Sequence, residues 1–495
     1  MLIKNIKTLN SYFGFVDTND LVNKCLIFST KQNTYLYDTG TSKIFLFADS
    51  QEIKVFRALI NQVIEMDIES EVIERVADIV KKENLLKGIV KKGFYDIDRD
   101  YIVDKIEHKL TQITLEVTQQ CNLRCKYCIY GHNHLNFRDF ESKEMTWDIA
   151  QKAIEYARDH SAEHIVISFY GGEPLLKFEL IKKAVNYARK IIMDKELSFS
   201  MTTNMVLMDE EKAEFIAKTP HFSVTASIDG PEQIHNKNRV DRNGKGTFAK
   251  SIKGLQKLVF AMQQHNKKLR NYVSISMVLD QPFLNSTYDD IQTFFENLDW
   301  LPKDIEKMVT YADYPSDYVI NQPREEREYI DEWILEKDNM DNFYSGTLQS
   351  VLYPIHARHI SEDAQEFMKM NGCCIPGSRK LYVTAVGEFK VCERIGKSPA
   401  IGNVYCGIDF SKLFKVYIDE FQEKGKSDCS NCWASTLCNV CYARYYDENG
   451  FNIEEKMKVC ESTRKELHDF LILYHTYLEE NPEIISKLNN IEVVS

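Results

Sequence analysis

Three cysteines in one short loop, Cys121, Cys125 and Cys128, follow the spacing Cys-x3-Cys-x2-Cys. A structural zinc ion or a [4Fe–4S] cube normally takes four ligands from the protein. Three thiolates therefore leave one metal position open, where a small molecule can bind. The loop predicts a [4Fe–4S] cluster with one open iron, and a zinc ion held by three thiolates and a water molecule is the alternative. Three unligated thiols are disfavoured because exposed thiols oxidise readily.

A second group of cysteines lies near the carboxyl end of the chain. Of the 13 cysteines, nine lie from Cys373 onwards, whereas residues 129–372 contain none and Cys25 stands alone. Pairs with the spacing Cys-x2-Cys are typical of metal sites, so this block is predicted to bind metal, with a zinc ribbon as one form. Its members are Cys373, Cys374, Cys392, Cys406, Cys429, Cys432, Cys438, Cys441 and Cys460.

Strand-like and helical segments alternate between the two cysteine groups, which predicts a parallel sheet. Six strands are expected, at ITLEVT, HIVISFYGG, LSFSMTTN, FSVTASIDG, YVSISMVLD and EKMVTYADY. Six are too few to close an eight-stranded barrel, so the fold class is α/β with a partial (β/α)6 TIM-like barrel. Chemistry in such barrels lies at the carboxyl ends of the strands. The cysteine loop, Gly171–Gly172–Glu173, Thr203–Asn204 and Ser227 all lie at or near such ends.

Residues 1–95 are predicted to form a small α+β unit. QNTYLYDTGTSKIFLF indicates a hairpin turning at Asp38–Thr39–Gly40, and Ser50 is the predicted cap of the helix that follows. A second helix is expected in ESEVIERVADIVKKENLL, and hairpin plus helices fits a winged helix. Residues 1–100 hold 14 basic and 15 acidic side chains, which argues against DNA binding. An open strand edge can instead accept an extended peptide as an added strand.

The overall composition excludes several classes of protein. The formal net charge is −12, which disfavours nucleic acid and anionic membranes as partners. No apolar run approaches the ~20 residues that cross a bilayer, and the first residues lack a signal-peptide core. A cytoplasmic location is therefore expected. Cysteines in a chain that is not exported indicate metal or redox use rather than disulfides.

The cysteine loop, with Tyr127 before its last cysteine, resembles the cluster motif of the radical S-adenosylmethionine (SAM) superfamily. FYGGEPLL (169–176) is similar to that superfamily's Gly-Gly-Glu motif. The resemblance covers residues 108–315. It implies that SAM fills the open iron site and is cleaved to a 5′-deoxyadenosyl radical, which abstracts hydrogen from carbon. For Arg239, a solvated surface position is the alternative to SAM contact. The SAM-binding candidates are Tyr127, Tyr170, Gly171, Gly172, Glu173, Asn204, Ser227 and Arg239.

The carboxyl-terminal block resembles the SPASM extension, a seven-cysteine module that holds two auxiliary [4Fe–4S] clusters. One departure is that two residues, not the usual three, separate Cys438 from Cys441. The resemblance brings the total to three [4Fe–4S] clusters. It assigns the second auxiliary cluster to Cys429, Cys432, Cys438 and Cys460. It assigns the first auxiliary cluster to Cys374, Cys392 and Cys441. The fourth iron of that cluster is bound by Cys373, by Cys406 or by no protein ligand, and in the last case a substrate thiolate can bind there.

The whole organisation resembles enzymes that mature ribosomally made peptides. The run NGCCIPGSRKLYVTAVGEFKVCERIG is similar to sactipeptide and ranthipeptide synthases, which join a cysteine sulfur to a carbon of another residue. This implies a cysteine-rich precursor peptide, whose leader binds the amino-terminal domain, and a flavodoxin or ferredoxin as reductant. An anaerobic sulfatase maturase is the first alternative, and there Glu393, which follows Cys392, would be the catalytic base. Carbon–carbon crosslinking or epimerisation of peptides, and a non-catalytic electron carrier, are further alternatives.

Five regions are predicted on this basis. They are a winged-helix recognition domain (1–95), the radical SAM partial barrel (108–315), a bridging helical region (316–372), the Cys-rich SPASM domain (373–460) and a carboxyl-terminal helix (461–495). Which carbon is attacked, which residues are joined and the oligomeric state are left open.

Overall fold

The computed structural model describes residues 2–65, 67–131, 137–279, 285–312, 345–370 and 374–490. Its strands are β1 (Leu2–Ile3), β2 (Cys25–Ser29), β3 (Thr34–Asp38), β4 (Ile44–Leu46), β5 (Ile68–Glu69), β6 (Leu110–Thr118), β7 (Ser161–Gly171), β8 (Glu196–Thr203), β9 (Phe222–Ser227), β10 (Val273–Leu279), β11 (Glu306–Tyr311), β12 (Leu381–Val383), β13 (Glu388–Lys390), β14 (Gly402–Asn403), β15 (Gly407–Ile408), β16 (Tyr446–Asp447) and β17 (Gly450–Phe451). Its α-helices are α1 (Ile6–Tyr12), α2 (Ser50–Asn61), α3 (Ser70–Lys82), α4 (Arg99–His108), α5 (Trp147–His160), α6 (Phe178–Ile191), α7 (Glu210–Lys218), α8 (Glu232–Asn238), α9 (Phe248–Gln264), α10 (Asn285–Glu296), α11 (Ser345–His356), α12 (Phe410–Phe414), α13 (Glu420–Ser430), α14 (Ile453–Glu480) and α15 (Pro482–Lys487).

The six predicted barrel strands form one parallel sheet. Strands β6 to β11 lie side by side in chain order, and each neighbouring pair is parallel. The five helices predicted between them are α5, α6, α7, α9 and α10. Within the described residues β6 and β11 do not pair, so the barrel is partial, as predicted.

The sheet continues beyond the barrel on the side of β6, which the sequence had not indicated. Strand β12 pairs in parallel with β6, and β13, β14 and β15 follow as an antiparallel extension. The cysteine-rich region is therefore built onto the first barrel strand, directly beside the strand that leads into the cysteine loop.

The barrel strands are apolar on one face and polar on the other. On β6, Ile113, Leu115 and Val117 are buried in the core shared with the surrounding helices. The opposite face is lined by hydroxyl and amide groups: Gln112 donates to Ser168 Oγ at 2.8 Å, and Thr225 and Ser274 lie 3.0 Å apart across two strands. Alternate side chains of β9 and β10 are only partly buried, so this polar face lines an open interior.

The amino-terminal unit contains the predicted hairpin. Strands β2, β3 and β4 form an antiparallel sheet with β4 at its edge, and α2 and α3 follow. The predicted cap was wrong by one residue. Asp49, not Ser50, caps α2, because its carboxylate accepts hydrogen bonds from the backbone N–H groups of Gln51 and Glu52. Cys25 is buried in this unit.

The carboxyl-terminal helix α14 contacts the amino-terminal unit. It begins at Ile453, so the predicted boundary between residues 460 and 461 falls inside a single helix. Near its end, Glu479 Oε1 accepts hydrogen bonds from Thr30, Asn33 and Tyr35 of the amino-terminal sheet. Much of the predicted bridging region, residues 316–344, lies outside the described residues. None of the described helices has the length and apolar character needed to cross a membrane.

Candidate active site

The cysteine loop follows β6 and is fixed by backbone hydrogen bonds to the segment after α8. Arg124 N donates to Val240 O at 2.7 Å, and Lys126 N donates to Asn238 O at 3.1 Å. The Cys121 carbonyl oxygen accepts two hydrogen bonds from the Arg242 guanidinium, at 2.9 and 3.2 Å. Arg242 was not identified from the sequence, because nothing local distinguishes it from Arg239.

The three cysteines of the loop lie within electrostatic reach of one another. Burial is the main cause that raises the pKa of the Cys121 and Cys125 thiols to about 12, with smaller contributions from Glu173 on Cys121, from Asp229 on Cys125 and from the other cysteines of the loop. Arg239, Arg138 and Arg124 oppose the rise in the pKa of Cys128, since positive charge favours a thiolate. Two of these arginines are paired with buried carboxylates, Arg239 with Asp229 and Arg138 with Glu116.

No three Cys, His, Asp or Glu side chains in the described part of the chain converge closely enough to hold a single metal ion. A [4Fe–4S] cube distributes its ligands over separate irons, so its cysteines need not converge on one point. The spacing of the cysteines in this loop fits such a cube.

The two glycines of the Gly-Gly-Glu motif allow its backbone to approach the cysteine loop. Gly172 N donates to Thr118 O and Glu173 N donates to Gln120 O, both at 2.8 Å. A Cβ on Gly171 would lie 2.2 Å from Thr118 O, and one on Gly172 would lie 2.0 Å from Gln120 O. The requirement for glycine therefore comes from backbone packing, and not only from approach to a ligand.

Glu173 is 1% exposed and holds the ends of two strands together. Its carboxylate accepts hydrogen bonds from Thr203 Oγ1 at 2.6 Å, Asn204 N at 2.9 Å and Leu175 N at 3.0 Å. Burial raises the pKa of Glu173, and these donors limit the rise. Asn204 Nδ2 in turn donates to Asn122 Oδ1 at 2.9 Å and lies 3.9 Å from Cys121 Sγ. Two of the SAM-binding candidates thus lie against the cysteine loop.

Arg239 is 7% exposed, so the surface alternative is excluded. Its Nε lies 3.0 Å from Asp229 Oδ2 without hydrogen-bond geometry, and Tyr127 OH donates to the same oxygen at 2.5 Å. Burial disfavours the charged guanidinium, but Asp229, Tyr127 and Cys125 together outweigh it and raise the pKa of Arg239. Asp229 was missed because its role depends on contacts distant in sequence. Ser227 lies half-buried at the end of β9.

A buried carboxylate joins the barrel to the cysteine-rich region. Glu116, on β6, is 2% exposed and accepts hydrogen bonds from Arg138 Nε at 2.6 Å, Ala385 N at 2.9 Å and Gln119 Nε2 at 3.0 Å. Glu116 pairs in register with Tyr170 of β7, so both face the polar interior. A charged residue in the apolar strand ITLEVT was the available sequence signal for Glu116.

Three of the carboxyl-terminal cysteines interact electrostatically with one tyrosine. Burial raises the pKa of Tyr442, and Cys392, Cys374 and Cys441 raise it further. The Tyr442 hydroxyl is buried and has no hydrogen-bond partner in the described structure. An unpaired donor beside three thiols fits a cluster whose sulfur atoms accept hydrogen bonds.

The candidates for a fourth ligand beside Cys374, Cys392 and Cys441 are Cys406 and Cys373. Cys406 is exposed in the turn between β14 and β15, where its backbone N–H donates to Asn403 Oδ1. Its neighbour Tyr405 bonds to Asp148 at the start of α5, so this turn lies against α5. Cys373 lies outside the described residues.

A cavity of about 460 Å³ is lined by four further cysteines of the carboxyl-terminal block, which the resemblance assigned to the second auxiliary cluster. Three buried hydroxyl groups near them have no hydrogen-bond partner in the part of the chain that the structure describes: Ser430, Ser435 and Tyr445. Unpaired donors around four grouped cysteines again fit an iron–sulfur cluster. The set is Cys429, Cys432, Cys438 and Cys460.

Glu393 lies between the barrel and the set formed by Cys374, Cys392 and Cys441. Lys380 Nζ donates to its Oε1 at 2.7 Å, whereas Oε2 is buried with no hydrogen-bond partner among the described residues. Burial, with a smaller contribution from the Glu393 carboxylate, raises the pKa of Tyr170 to about 12. Tyr170 also interacts electrostatically with Cys128, so the two cysteine regions meet at this tyrosine.

Comparison with known proteins agrees with this geometry. Residues 115–266 match the sequence model of the Radical SAM superfamily. The chain is 26% identical over 303 residues to an uncharacterised protein of Methanocaldococcus jannaschii, covering 61% of this chain and 90% of that protein. It is 35% identical over 133 residues to a cysteine-type anaerobic sulfatase-maturating enzyme of Clostridium perfringens, covering 26% of this chain and 35% of that enzyme.

The structure of native anSMEcpe with bound AdoMet has a similar fold, with a TM-score of 0.51, 22% identity, and coverage of 77% of this chain and 100% of that one. The chain therefore carries a radical SAM domain, and its resemblance to SPASM-type peptide maturases stands at the level of fold. Residues 115–266 thus resemble a superfamily whose chemistry uses a [4Fe–4S] cluster and SAM. The matched segment covers less than half of the sulfatase-maturating relatives.

Replacing Gly172 with alanine should abolish SAM cleavage and lower the iron content, because the new Cβ would lie 2.0 Å from the Gln120 carbonyl oxygen. The backbone would have to shift and release the cysteine loop. Iron and 5′-deoxyadenosine are measured after anaerobic reconstitution. Gly93→Ala is the control, since its Cβ would meet nothing nearer than 3.7 Å. Full iron and normal SAM cleavage in Gly172→Ala would contradict this account.

Proposed function

We propose that the chain installs thioether crosslinks in a cysteine-containing precursor peptide. The observation that carries the proposal is the set Cys374, Cys392 and Cys441 around Tyr442, adjoining the barrel through Glu393 and Tyr170. In this proposal neither Cys373 nor Cys406 supplies the fourth ligand of this cluster, so one iron is left for a thiolate of the substrate. A metal-bound thiol is deprotonated and held in position, which is what bond formation at sulfur requires.

When bound, the reduced cluster and SAM supply a 5′-deoxyadenosyl radical that abstracts hydrogen from a carbon of the peptide. In this proposal Cys121, Cys125 and Cys128 hold that cluster. Gly172 and Glu173 set the distance between the cysteine loop and β7. The other proposed SAM contacts are Tyr127, Tyr170, Gly171, Asn204, Ser227 and Arg239, which the fold places at or near the carboxyl ends of β6 to β9.

The atoms and electrons of the proposed reaction balance. One S–H and one C–H bond break and one S–C bond forms. The carbon-bound hydrogen leaves in 5′-deoxyadenosine, the thiol proton goes to solvent, and methionine is the second product from SAM. The one electron that starts the turnover, from a flavodoxin or ferredoxin, is recovered when the S–C bond forms. Each crosslink therefore lowers the peptide mass by two hydrogens.

The amino-terminal unit is proposed to bind the leader of the precursor. Strand β4 has one neighbour in the described sheet, β3, and its Leu46 is 50% exposed. Beside it lies a cavity of about 380 Å³ whose lining includes Phe45, Ile79 and Ile360. A peptide added along β4 would gain backbone hydrogen bonds from the strand and side-chain contacts from this groove.

Formylglycine formation is the second candidate function. Glu393 Oε2 is buried and unpaired among the described residues, which is a suitable position for a base. The sulfatase-maturating relatives are similar to this chain over part of their length and favour the same reading. Against it, a sulfatase maturase has little use for a leader-binding unit. Other peptide modifications, such as carbon–carbon crosslinks or epimerisation, share the same barrel.

Replacing Cys121, Cys125 and Cys128 together with alanine should remove one third of the iron and all SAM cleavage. Three clusters of four irons give about 12 irons per chain, so about 8 should remain. Iron analysis and detection of 5′-deoxyadenosine after anaerobic reconstitution test this. Cys406→Ala, at an exposed turn, should keep the full iron content. Unchanged SAM cleavage in the triple variant would contradict the assignment of a cluster to these three cysteines.

Glu393→Gln should retain most crosslinking, because a thiolate bound to metal needs no separate base. In formylglycine formation the same change should reduce turnover strongly. Glu388→Gln, at an exposed position of β13, is the matched control. Mass spectrometry should show a loss of two hydrogens per crosslink, and no crosslink when the acceptor cysteines of the precursor are changed to serine. A product with that mass loss whose thiols can all still be alkylated would rule out sulfur as the bonding atom.

Ile360→Asp should weaken binding of the precursor at least tenfold while leaving uncoupled SAM cleavage unchanged. Ile360 is 52% exposed and lines the groove beside β4, so a carboxylate there removes apolar contact without disturbing the core. The dissociation constant of the full precursor is measured by fluorescence anisotropy. Val90→Asp, at a position 59% exposed and outside the groove, is the control. Equal affinities of the two variants would remove the groove from the proposal.

A further inference from the structure

A lysine is completely buried beside the cavity lined by Cys429, Cys432, Cys438 and Cys460. Lys456 has a side-chain exposure of 0%, and Asp428 accepts its hydrogen bond, with 3.1 Å between Nζ and Oδ2. Lys456 lines the same cavity as the four cysteines. It lies one helical turn before Cys460 on α14, so both side chains project from one face of the helix.

Asp428 alone does not account for a lysine buried here. Burying an ammonium group is costly unless its charge is well compensated, and an apolar side chain of similar length would pack as well. The Asp428 side chain is itself 35% exposed, so it shares its charge with solvent. The remaining anions around Lys456 are the cysteines: Cys429 and Cys460 favour its charged form, and it favours their thiolates.

Four thiolates and a [4Fe–4S] core carry a net negative charge, and reduction adds one more electron. A fixed cation in a buried site stabilises the reduced form, since the interaction is weakly screened there. Reduction potentials of such clusters depend on nearby charge and on hydrogen bonds to sulfur. The unpaired hydroxyls of Ser430, Ser435 and Tyr445 act in the same direction as Lys456.

We propose that Lys456 is a tuning residue that raises the reduction potential of the cluster held by Cys429, Cys432, Cys438 and Cys460, so that this cluster accepts an electron more readily. The inference rests on the proposed function, because it requires this second auxiliary cluster. The reaction is a one-electron reduction without proton transfer. The electron comes from the reductant or from the peptide when the S–C bond forms, and it leaves to an oxidised flavodoxin or ferredoxin or to the cluster at Cys121, Cys125 and Cys128.

The test is a redox titration followed by electron paramagnetic resonance, in the reconstituted full chain with Cys121, Cys125 and Cys128 replaced by alanine. The component that disappears in Cys438→Ala identifies the cluster. Lys456→Met should lower the reduction potential of this cluster by at least about 59 mV, which corresponds to a tenfold change in the equilibrium constant of a one-electron reduction. Asp428→Asn should raise the potential, because it removes the anion that partly neutralises Lys456.

Lys458→Met is the matched control. Lys458 lies on the same helix, 47% exposed, within 3.1 Å of Glu455, and its replacement should leave the potential unchanged. Equal shifts in the Lys456 and Lys458 variants, with full iron, would overturn the inference. If Lys456→Met fails to take up iron, Lys456→Gln and Lys456→Arg decide: a lower potential in the neutral Gln variant than in the charged Arg variant supports the role of Lys456, and equal potentials in the two refute it. Absence of the cluster from the starting protein would instead refute the proposed function.

Discussion

The site depends on the contact between two backbones at the carboxyl ends of β6 and β7. Gly172 and Glu173 donate hydrogen bonds to carbonyl groups at the start of the cysteine loop, at a separation that leaves no space for a Cβ on either glycine. Because Glu173 also binds the end of β8, three strand ends are fixed by one short segment. The positions of the three cysteines relative to the barrel interior follow from this contact, so side chains on different strands can act on one bound molecule.

The open barrel explains why the interior is polar. A closed eight-stranded barrel fills its interior with apolar side chains. Here the interior faces of β7 to β10 carry serine and threonine, which bond to one another across the strands. Strand β12 pairs with β6 and so fills part of the gap that six strands leave in the barrel. Where these two strands meet, Glu116 accepts hydrogen bonds from Arg138 of the barrel region and from Ala385 of the cysteine-rich region. The cysteine-rich region is thereby brought to the carboxyl end of the barrel, on the side of the cysteine loop.

The sequence predicted those features that repeat with a regular period or lie close together in the chain. All six barrel strands and the five helices between them were identified, because each shows the alternation or helical spacing of apolar residues. Strand β12 was missed because three residues are too few to show a period. Asp229, Arg242 and Lys456 were missed for another reason. Each acts through contacts made only after folding, and in the sequence each resembles an ordinary surface charge.

The amino-terminal unit is more than a recognition element attached to an independent enzyme. Thr39 Oγ1, at the end of β3, donates to the carbonyl of Trp433, and Tyr37 on the same strand bonds to Thr436. Both partners lie in the loop between Cys432 and Cys438. The groove proposed for the leader borders β4, which pairs with β3, so one strand separates this groove from the loop between Cys432 and Cys438. Deleting residues 1–95 would therefore expose and loosen that loop, and a loss of iron would accompany any loss of peptide binding. Point substitutions in the groove separate the two effects, because they leave the contacts of β3 in place.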